Sequence, residues 1–293
     1  MAPGTTDCLL SLLHESTSKV NGKDFNLVFC PERVAQGKAL AEIKNLPQLI
    51  GAYSEDGYEQ ARIFFAKIGV FKTSKMLTPT EAEIGKLMTN MYRYVNFAFS
   101  NEMYMISRNY DVDIHKVIEE CNRDYPRMNM PMPGPNVGGP CLAKDGKLLV
   151  ETIPYCDLVN NAFLINESMP QFIFNESKKL DKSIRTALIM GMTFKKENDD
   201  TRLSLSFKLN KILKKNNIKV IKADGYINRQ SIYDPFDFNI ADVDAIYFMT
   251  PHKHLLDDYR FRLKDQLKSD CVIVDAWKSL EQPRTIFLNK DFK

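Results

Sequence analysis

This sequence of 293 residues lacks several features that mark particular classes of protein, and each absence argues against one of those classes. It has no stretch of about 18 apolar residues and no signal core at its start, so we expect no membrane contact and a cytoplasmic location. Its six cysteines form no CxxC pair and have no histidine at zinc-ligand spacing, which argues against a disulfide framework or a zinc finger. We therefore expect reduced thiols and no bound metal.

The sequence also lacks a glycine fingerprint of the GxGxxG type, which a backbone needs to approach a pyrophosphate closely. By itself the chain therefore shows no evident dinucleotide site. The sequence has no large excess of either charge, because 40 basic residues are interspersed with 37 acidic ones to give a net charge of +3. Such a balance creates no strong field, and we expect no nucleic-acid partner.

Apolar material is sufficient for ordinary globular cores, at 44% hydrophobic and 26% charged residues. The length favours two or three domains. Residues 1–76 alternate helix-like and strand-like stretches, with helices over 7–15 and 58–68 and a strand over 25–30, as at the end of an α/β domain.

The strongest helix signal begins at Pro79, where Thr78 can act as the N-cap and Glu81 completes a capping box. Apolar residues then recur with a period near 3.6 to about Asn109. A helix of roughly 30 residues exceeds what one small domain needs, so it is predicted to serve as a spine and a dimer surface. The positions of this apolar series are Ile84, Leu87, Met88, Met91, Val95, Ala98, Phe99 and Met103.

After a shorter helix over 113–121, a Pro/Gly segment spans 131–141 and ends at Cys141. Helical signal resumes near Asp145 and again over 158–179, where Pro170 should kink or divide the helix. From 186 onward, strands over 186–194, 218–222, 245–250 and 271–275 alternate with helical sequence, including 203–215. This alternation predicts a parallel sheet covered on both faces.

Four residues have chemistry that fits a common site. Lys86 and Asn90 stand four apart on the long helix and project from one face, so the pair can polarise a substrate oxygen. A thiolate is a good nucleophile and is stabilised beside an ammonium group, which suits Cys141. Asp145 can act on water or a hydroxyl. The alternatives are a solvated helix face for the pair, a buried apolar cysteine and a helix-capping aspartate.

The sequence resembles the UDP-glucose/GDP-mannose dehydrogenase family through nearly all of its length. The order and spacing of several segments together carry the resemblance. These segments are Pro3-Gly4-Thr5-Thr6, Pro31-Glu32-Arg33-Val34, residues 83–90, residues 138–145, Gly191-Met192-Thr193-Phe194-Lys195 and Asp199-Asp200-Thr201-Arg202.

The resemblance implies oxidation of a sugar C6 hydroxyl to a carboxylate, with two NAD molecules and a thioester on the enzyme. By the family pattern Cys141 is the nucleophile, Lys86 and Asn90 stabilise the charged oxygen, and Glu32 and Asp145 position or activate water. A salt bridge or a turn at a strand end is the alternative for Glu32.

The family pattern also suggests contacts to the UDP-sugar. Lys195 and Arg202 follow a strand end, where helix amides attract phosphate, and Gly138 and Gly139 would allow close approach of a substrate. The alternative for Arg202 is pairing with the neighbouring aspartates. The Pro-Glu-Arg triplet at 31–33 and Tyr125-Pro126-Arg127 resemble the branch that oxidises UDP-N-acetylhexosamines such as UDP-N-acetylmannosamine, with Arg127 as a candidate contact.

Departures from the family pattern occur at Pro140 before the cysteine, at Gly146 after Asp145 and at Trp277, where an arginine is common. With the fingerprint absent, Lys144 is the candidate for a cofactor contact. We expect a truncated α/β chain with three parts: a Rossmann-like remnant of the NAD-binding domain over 1–76, a long-helix dimerisation domain with the cysteine loop over 77–182, and a Rossmann-like UDP-binding domain over 183–293.

The expected partners are a UDP-sugar, a second copy through the helix at 79–109, and a separately encoded NAD-binding half. Two other readings stay open. One is a redox-inactive module that binds a nucleotide sugar and dimerises. The other is a fragment of a hydroxyacid dehydrogenase, whose helix also bears lysine and asparagine but which lacks the Gly-Gly-x-Cys loop.

Overall fold

A computed structural model describes residues 1–35, 37–137, 139–150, 153, 155–180, 183–227 and 239–280. The chain divides into two compact units, Met1–Tyr92 with Lys144–Cys156 and Arg93–Ala143 with Asp157–Lys293. Helices and strands alternate in both, so the predicted α/β class is confirmed. Within the described ranges, no helix combines the length and apolar character that a bilayer crossing requires. The predicted division at 76 and 182 stays a prediction.

The first unit contains a three-stranded sheet in the order β1-β2-β3, where β1 (Val28–Phe29) is antiparallel to β2 (Gln48–Ala52) and β2 is parallel to β3 (Thr73–Met76). Helices α1 (Thr5–Thr17), α2 (Ala39–Asn45) and α3 (Glu55–Lys67) accompany it. Helices α1 and α3 confirm two predictions, whereas the strand predicted over 25–30 is only two residues long. The pattern left β3 undetected because its residues Thr-Ser-Lys-Met are mostly polar and half-buried.

Helix α1 begins against a buried acid from another helix. The carboxylate of Glu83 accepts hydrogen bonds from the backbone N–H groups of Gly4 (2.6 Å) and Thr6 (2.9 Å) and from the Thr6 hydroxyl (2.6 Å). A negative charge at a helix N-terminus is stabilised by the unpaired N–H groups there. Glu83 therefore fixes where α1 starts.

Helix α4 (Pro79–Ser107) confirms the predicted long helix and its cap. Thr78 Oγ1 accepts from the backbone N–H of Glu81 at 3.2 Å, and the Glu81 carboxylate accepts from Leu77 N–H at 2.6 Å. The apolar positions predicted as one face separate into two sets. Leu87, Met91 and Ala98 are buried, whereas other members of the series are exposed: Ile84, Met88 and Phe99.

Three more helices belong wholly or partly to the second unit: α5 (Ile114–Asn122), α6 (Gly139–Val150) and α7 (Asp157–Leu180). Helix α6 begins six residues earlier than the predicted Asp145. Pro140 lies in its first turn, where a missing N–H costs no helical hydrogen bond. Helix α7 is not divided at Pro170, because Met169, Ile173 and Phe174 around it are buried in one core and hold the helix together.

The second unit is built on the predicted parallel sheet, with the order β5-β4-β6-β7. Its strands are β4 (Thr186–Met190), β5 (Lys219–Ala223), β6 (Ala245–Phe248) and β7 (Val272–Val274), and α8 (Ser206–Lys215) and α9 (Lys253–Asp258) follow β4 and β6. Alternate residues of each strand enter two different cores, as Ile189 and Tyr247 do on one face and Leu188 and Ile246 on the other. The sheet is thus buried on both faces, as predicted.

Candidate active site

In the first unit, the structure brings Lys86, Asn90 and Asp145 together. Asn90 Nδ2 donates to Asp145 Oδ2 at 2.7 Å, and Lys86 Nζ lies 3.5 Å from the same oxygen. The Asp145 side chain is only 3% exposed, whereas that of Lys86 is 27% exposed. Two donors spaced one helical turn apart therefore converge on one point, as their spacing predicted, but the oxygen there belongs to Asp145, and their action on a substrate oxygen stays a prediction.

Cys141 stands in the first turn of α6, and Asp145 follows one turn later on the same helix. Cys141 is one of three exposed cysteines, with Cys8 and Cys121, and all six cysteines are free thiols. Burial raises the pKa of Cys30 to about 11 and that of Cys271 to about 12, so these two remain protonated at neutral pH. The Cys141 thiol, in contrast to these two, is open to solvent.

Glu32 and Lys144 lie apart from this cluster of hydrogen bonds. Glu32 is exposed, and its carboxylate accepts from the backbone N–H of Val34 in the turn after β1. That contact matches the alternative of a strand-end turn, and a role for Glu32 with water stays a prediction. Lys144 is exposed on α6, and its predicted cofactor contact also remains untested.

In the second unit, the carboxyl ends of β4 and β6 lie side by side where the strand order reverses. Ligands of open α/β sheets bind in the crevice at such a switch point. Gly191 follows β4 with φ +91°, and a Cβ there would lie 2.3 Å from the carbonyl oxygen of Thr250. Only glycine allows the two strand ends to approach this closely.

A buried polar network orders the loop that leaves β4. Asp224 Oδ2 accepts from the N–H groups of Met192 (2.7 Å) and Thr193 (3.2 Å). His252 Nδ1 accepts from Glu197 N–H at 2.9 Å, so the ring proton is on Nε2, which lies 2.9 Å from Thr193 Oγ1 and 3.4 Å from Asp224 Oδ2. The loop that carries Lys195 is therefore held from both neighbouring strands.

Acid should weaken this network. Burial alone raises the pKa of Asp224, but hydrogen bonds from His252 and from the backbone of Met192 and Tyr226 outweigh it, and the pKa lies below its usual value. A carboxyl group with a lowered folded-state pKa stabilises the fold above its unfolded pKa. That stabilisation is lost as the pH falls through the folded value, below about 4.

We predict that Asp224→Asn lowers the free energy of unfolding at pH 7 by about 1–3 kcal/mol, because the amide cannot accept from N–H groups on both sides. Between about pH 5 and pH 3 the variant should lose less stability than the wild type. Urea unfolding across this range checks the prediction, with exposed Asp265→Asn as the control. Parallel pH profiles for the wild type and Asp224→Asn would refute it.

Two predicted substrate residues, Lys195 and Arg202, lie in the loop between β4 and α8. Lys195 is half-buried there, and its backbone carbonyl accepts from Thr193 Oγ1 at 3.0 Å. Arg202 is 72% exposed and forms a bidentate ion pair with Asp200, which was the alternative for it. The hydrogen bonds and the charge of the Asp200 carboxylate raise the pKa of Arg202.

The remaining predicted residues are Gly138, Gly139 and Arg127. Gly139 has φ +59°, and a Cβ there would lie 2.5 Å from the Phe194 ring, so glycine is required for the start of α6 to pack on the loop after β4. Gly138 lies outside the described residues. Arg127 is exposed, stacks on the Tyr125 ring at 4.7 Å and donates to its hydroxyl at 2.9 Å. Its contact with a ligand stays a prediction.

Sequence reasoning missed Asp224, His252, Asn136 and Glu83, all of which are buried. The signals were weak. His252 follows Thr-Pro after a strand, and Asn136 is the one amide within the Pro/Gly segment. Among the described residues, no three His, Cys, Asp or Glu side chains are placed to hold a metal ion.

Two sequence patterns of known domains match most of the chain. The central domain of the UDP-glucose/GDP-mannose dehydrogenase family matches residues 80–168, and the UDP binding domain of that family matches residues 188–282. The chain belongs to the UDP-glucose/GDP-mannose dehydrogenase family. The resemblance found from the sequence is thus confirmed.

Similar members of this family are UDP-N-acetyl-D-mannosamine dehydrogenases. That of Methanocaldococcus jannaschii is 34% identical over 272 residues, covering 91% of this chain and 60% of the relative. That of Pyrococcus horikoshii is 33% identical over 261 residues, covering 85% of this chain and 60% of the relative. The chain therefore spans about 60% of the length of these curated relatives.

Solved structures agree. The UDP-N-acetyl-mannosamine dehydrogenase of Pyrococcus horikoshii superposes with a TM-score of 0.87 at 28% identity, over 98% of this chain and 71% of that one. The Staphylococcus aureus enzyme of the same name gives a TM-score of 0.81 at 28% identity, over 96% of this chain and 67% of that one.

Proposed function

We propose that this chain is the catalytic and nucleotide-sugar-binding part of an NAD-dependent UDP-sugar 6-dehydrogenase. The observation that supports this most is helix α6, which carries exposed Cys141 in its first turn and buried Asp145 one turn later, with the carboxylate held by Lys86 and Asn90. The first candidate substrate is UDP-N-acetyl-D-mannosamine or a related UDP-N-acetylhexosamine. The names of the relatives and the Pro-Glu-Arg and Tyr-Pro-Arg triplets support that choice.

In this proposal the UDP group binds at the carboxyl edge of the parallel sheet. Lys195 and Arg202 face the diphosphate, and Arg127, held by Tyr125, contacts the sugar or a phosphate. The bidentate pair with Asp200 presents the Arg202 guanidinium in a fixed plane, and phosphate would have to compete with or join that pair. Gly139 packs against the Phe194 ring, which holds the start of α6 on the loop that carries Lys195.

Trp277, the only tryptophan in the sequence, can report on this site. Its indole N–H donates to Met249 O at 3.0 Å, at the end of β6, and its ring lies against Gly134. We predict that UDP changes its fluorescence and that Lys195→Ala weakens UDP binding by about tenfold, through loss of a charged phosphate contact. Lys211→Ala, on the solvent face of α8, should bind UDP like the wild type. Equal affinities of the wild type, Lys195→Ala and Lys211→Ala for UDP would show that Lys195 does not bind UDP.

The sulfur chemistry assigned to Cys141 balances. Its thiolate adds to the C6 aldehyde, so that a C–S bond forms and the carbonyl electron pair moves to oxygen, where Lys86 and Asn90 stabilise the charge. The family pattern then implies a thioester, which would form when the oxygen electron pair re-forms the C=O bond and the hydride on C6 passes to NAD. Water adds to it with Asp145 as the group that accepts the proton, the C–S bond breaks, and the thiol and the uronate are released.

NAD would accept a hydride in both oxidations, but the described residues of the first unit do not fit a dinucleotide. The turn between β2 and α3 contains Tyr53 and Ser54 and no glycine, and α3 begins with Glu55 and Asp56. Two acidic residues at a helix N-terminus repel a pyrophosphate. The proposal therefore assigns NAD binding to residues other than these.

The proposal also includes a homodimer through α4. Exposed apolar side chains repeat along one face of this helix, at Ile84, Met88, Tyr92, Phe99 and Ile106, each at least 41% exposed. Their spacing of four or seven residues keeps them on one stripe about six turns long. A contiguous exposed apolar surface of this kind is typical of a protein interface.

We predict that the wild type sediments as a dimer and that Met88→Glu raises the dimer dissociation constant by about a hundredfold, because it places an unpaired charge in an apolar interface. Val117→Glu on α5 replaces another exposed apolar residue with the same charge outside the stripe and is the matched control. Sedimentation velocity at several concentrations distinguishes the two variants. A wild-type monomer at about 50 µM would exclude this interface.

The activity is tested by mixing the chain with NAD and UDP-N-acetylmannosamine, with and without a NAD-binding half supplied separately, and following NADH absorbance. NADH formation that requires both polypeptides supports the dehydrogenase. The second candidate is a redox-inactive module that binds a nucleotide sugar, favoured by the poor fit to a dinucleotide. UDP-sugar binding without NADH formation in any mixture would favour that module.

A further inference from the structure

One amide side chain joins the cysteine segment to the nucleotide edge of the sheet. Asn136 is 3% exposed and lies five residues before Cys141. Its Nδ2 lies within hydrogen-bond distance of Thr193 O (2.7 Å) and of the hydroxyls of Ser204 (3.0 Å) and Thr250 (3.0 Å). Its Oδ1 accepts from the backbone N–H of Leu205 at 2.9 Å.

The polarity of this pocket fits an amide. Thr250 Oγ1 already donates its proton to Thr193 O at 2.5 Å, so it presents a lone pair to Asn136. Ser206 Oγ donates to Gly191 O at 2.8 Å and presents a lone pair at 3.4 Å in the same way. The pocket therefore requires a donor on one side and an acceptor on the other, and leaving these buried groups unpaired is costly.

Three partners of Asn136, namely Thr193, Ser204 and Leu205, belong to the loop proposed to bind UDP. Thr193 precedes Lys195 by two residues, and Leu205 follows Arg202 by three. A second contact, between Gly139 and the Phe194 ring, fixes the same segment where α6 begins. The thiol is therefore attached through a short chain, held at two points, to the loop that carries both candidate phosphate ligands.

We propose that Asn136 is a positioning residue that couples the nucleotide loop to the Cys141 thiol. When UDP binds Lys195 and Arg202 in the loop between 193 and 205, the resulting displacement of that loop passes through Asn136 to the first turn of α6. The coupling rests on the proposed function, because it assumes that UDP binds at Lys195 and Arg202.

The first test uses Asn136→Asp and Asn136→Ala with UDP-N-acetylmannosamine as the probe, titrated through Trp277 fluorescence. At pH 7.5 both variants should bind about tenfold more weakly than the wild type, because Asp places a charge against Thr193 O and Ala leaves its partners unpaired. As the pH falls to about 5, the protonated Asp regains a donor, so Asn136→Asp should recover to within about threefold of the wild type. Asn136→Ala should not recover.

The wild type must be measured at each pH as the reference, because Asp224 and His252 also contact Thr193. Ser177→Ala is the control, because it removes an equally buried hydrogen bond, to the Tyr247 hydroxyl in the core of the second unit. This variant should bind UDP-N-acetylmannosamine like the wild type at every pH. An Asn136→Asp profile that stays parallel to that of Asn136→Ala would overturn the role assigned to the amide.

The second test measures the rate at which iodoacetamide alkylates Cys141, relative to exposed Cys121 in the same molecule, by peptide mass spectrometry. Without nucleotide, Asn136→Ala should slow Cys141 by about threefold or more, because α6 loses the ordered N-terminal amides that favour an anion. Ser177→Ala should not. Saturating UDP should change the Cys141 rate in the wild type and leave it unchanged in Asn136→Ala.

The outcomes separate the two claims. If the wild type does not bind UDP or UDP-N-acetylmannosamine, the proposed function fails, and the nucleotide-free alkylation rates still decide whether Asn136 positions the thiol. If the wild type binds both but UDP changes the Cys141 rate equally in the wild type and in Asn136→Ala, then the coupling is wrong and the proposed function stands.

Discussion

Replacing Cys141 by serine should reduce uronate formation by about a thousandfold or more and leave formation of the C6 aldehyde in place. A serine hydroxyl is not ionised at neutral pH and is a far weaker nucleophile than a thiolate, so it should not capture the aldehyde at a useful rate. Cys141 is exposed in the first turn of α6, and the change from sulfur to oxygen is small, so the fold should not be affected. The two oxidations should therefore separate.

The measurement is product analysis by mass spectrometry, with the chain supplemented by a NAD-binding half and given UDP-N-acetylmannosamine. Cys121→Ser is the matched control, because Cys121 is also exposed and lies on α5 away from the proposed chemistry. That variant should yield acid at the wild-type rate. Equal acid yields from Cys141→Ser and Cys121→Ser would rule out the thioester route.

Replacing Glu83 by alanine should have the largest effect on stability, about 3–5 kcal/mol in the free energy of unfolding. Its carboxylate is 1% exposed and accepts three hydrogen bonds from Gly4 and Thr6 at the start of α1. Without it, two backbone N–H groups at a helix N-terminus lose a charged acceptor inside the protein. Glu83→Gln keeps the shape and one acceptor oxygen, and it should lose about half as much.

Glu81 provides the control for this prediction on the same helix. It is exposed and caps α4 through Leu77 N–H, so Glu81→Ala should cost about 0.5–1 kcal/mol. Urea unfolding of the three variants, followed by circular dichroism, gives the comparison. Similar losses for Glu83→Ala and Glu81→Ala would show that the buried carboxylate does not anchor α1.

The parts of the fold that sequence patterns predicted are those that local rules govern. Helix α4 was predictable from Thr78, Pro79 and Glu81, and the four strands of the parallel sheet from their continuous apolar runs. Strand β3 and helix α2 were missed because their residues are mostly exposed or half-buried and carry no periodic apolar pattern. Helix α6 began earlier than predicted because a proline in a first turn was read as part of a loop.

In the candidate site, too, local spacing predicted some residues and gave no sign of others. The pairing of Lys86 with Asn90 followed from their spacing on one helix, and Asp145 was a candidate because it lies one turn after Cys141. Asp224, His252 and Asn136 could not be found this way, because each has a partner far along the chain, at a distance of 31, 59 and 114 residues respectively. Long-range hydrogen bonds leave no local pattern in a sequence. The ion pair of Arg202 with Asp200 was foreseen as an alternative.

The most direct test of the account is the mass of the Cys141 peptide from protein quenched with acid during turnover of UDP-N-acetylmannosamine, with NAD and a NAD-binding half present. The account predicts an acyl adduct of the UDP-sugar on Cys141, absent from Cys8 and Cys121, that appears before free uronate and disappears when substrate is exhausted. Uronate that accumulates without any adduct on Cys141 would contradict it.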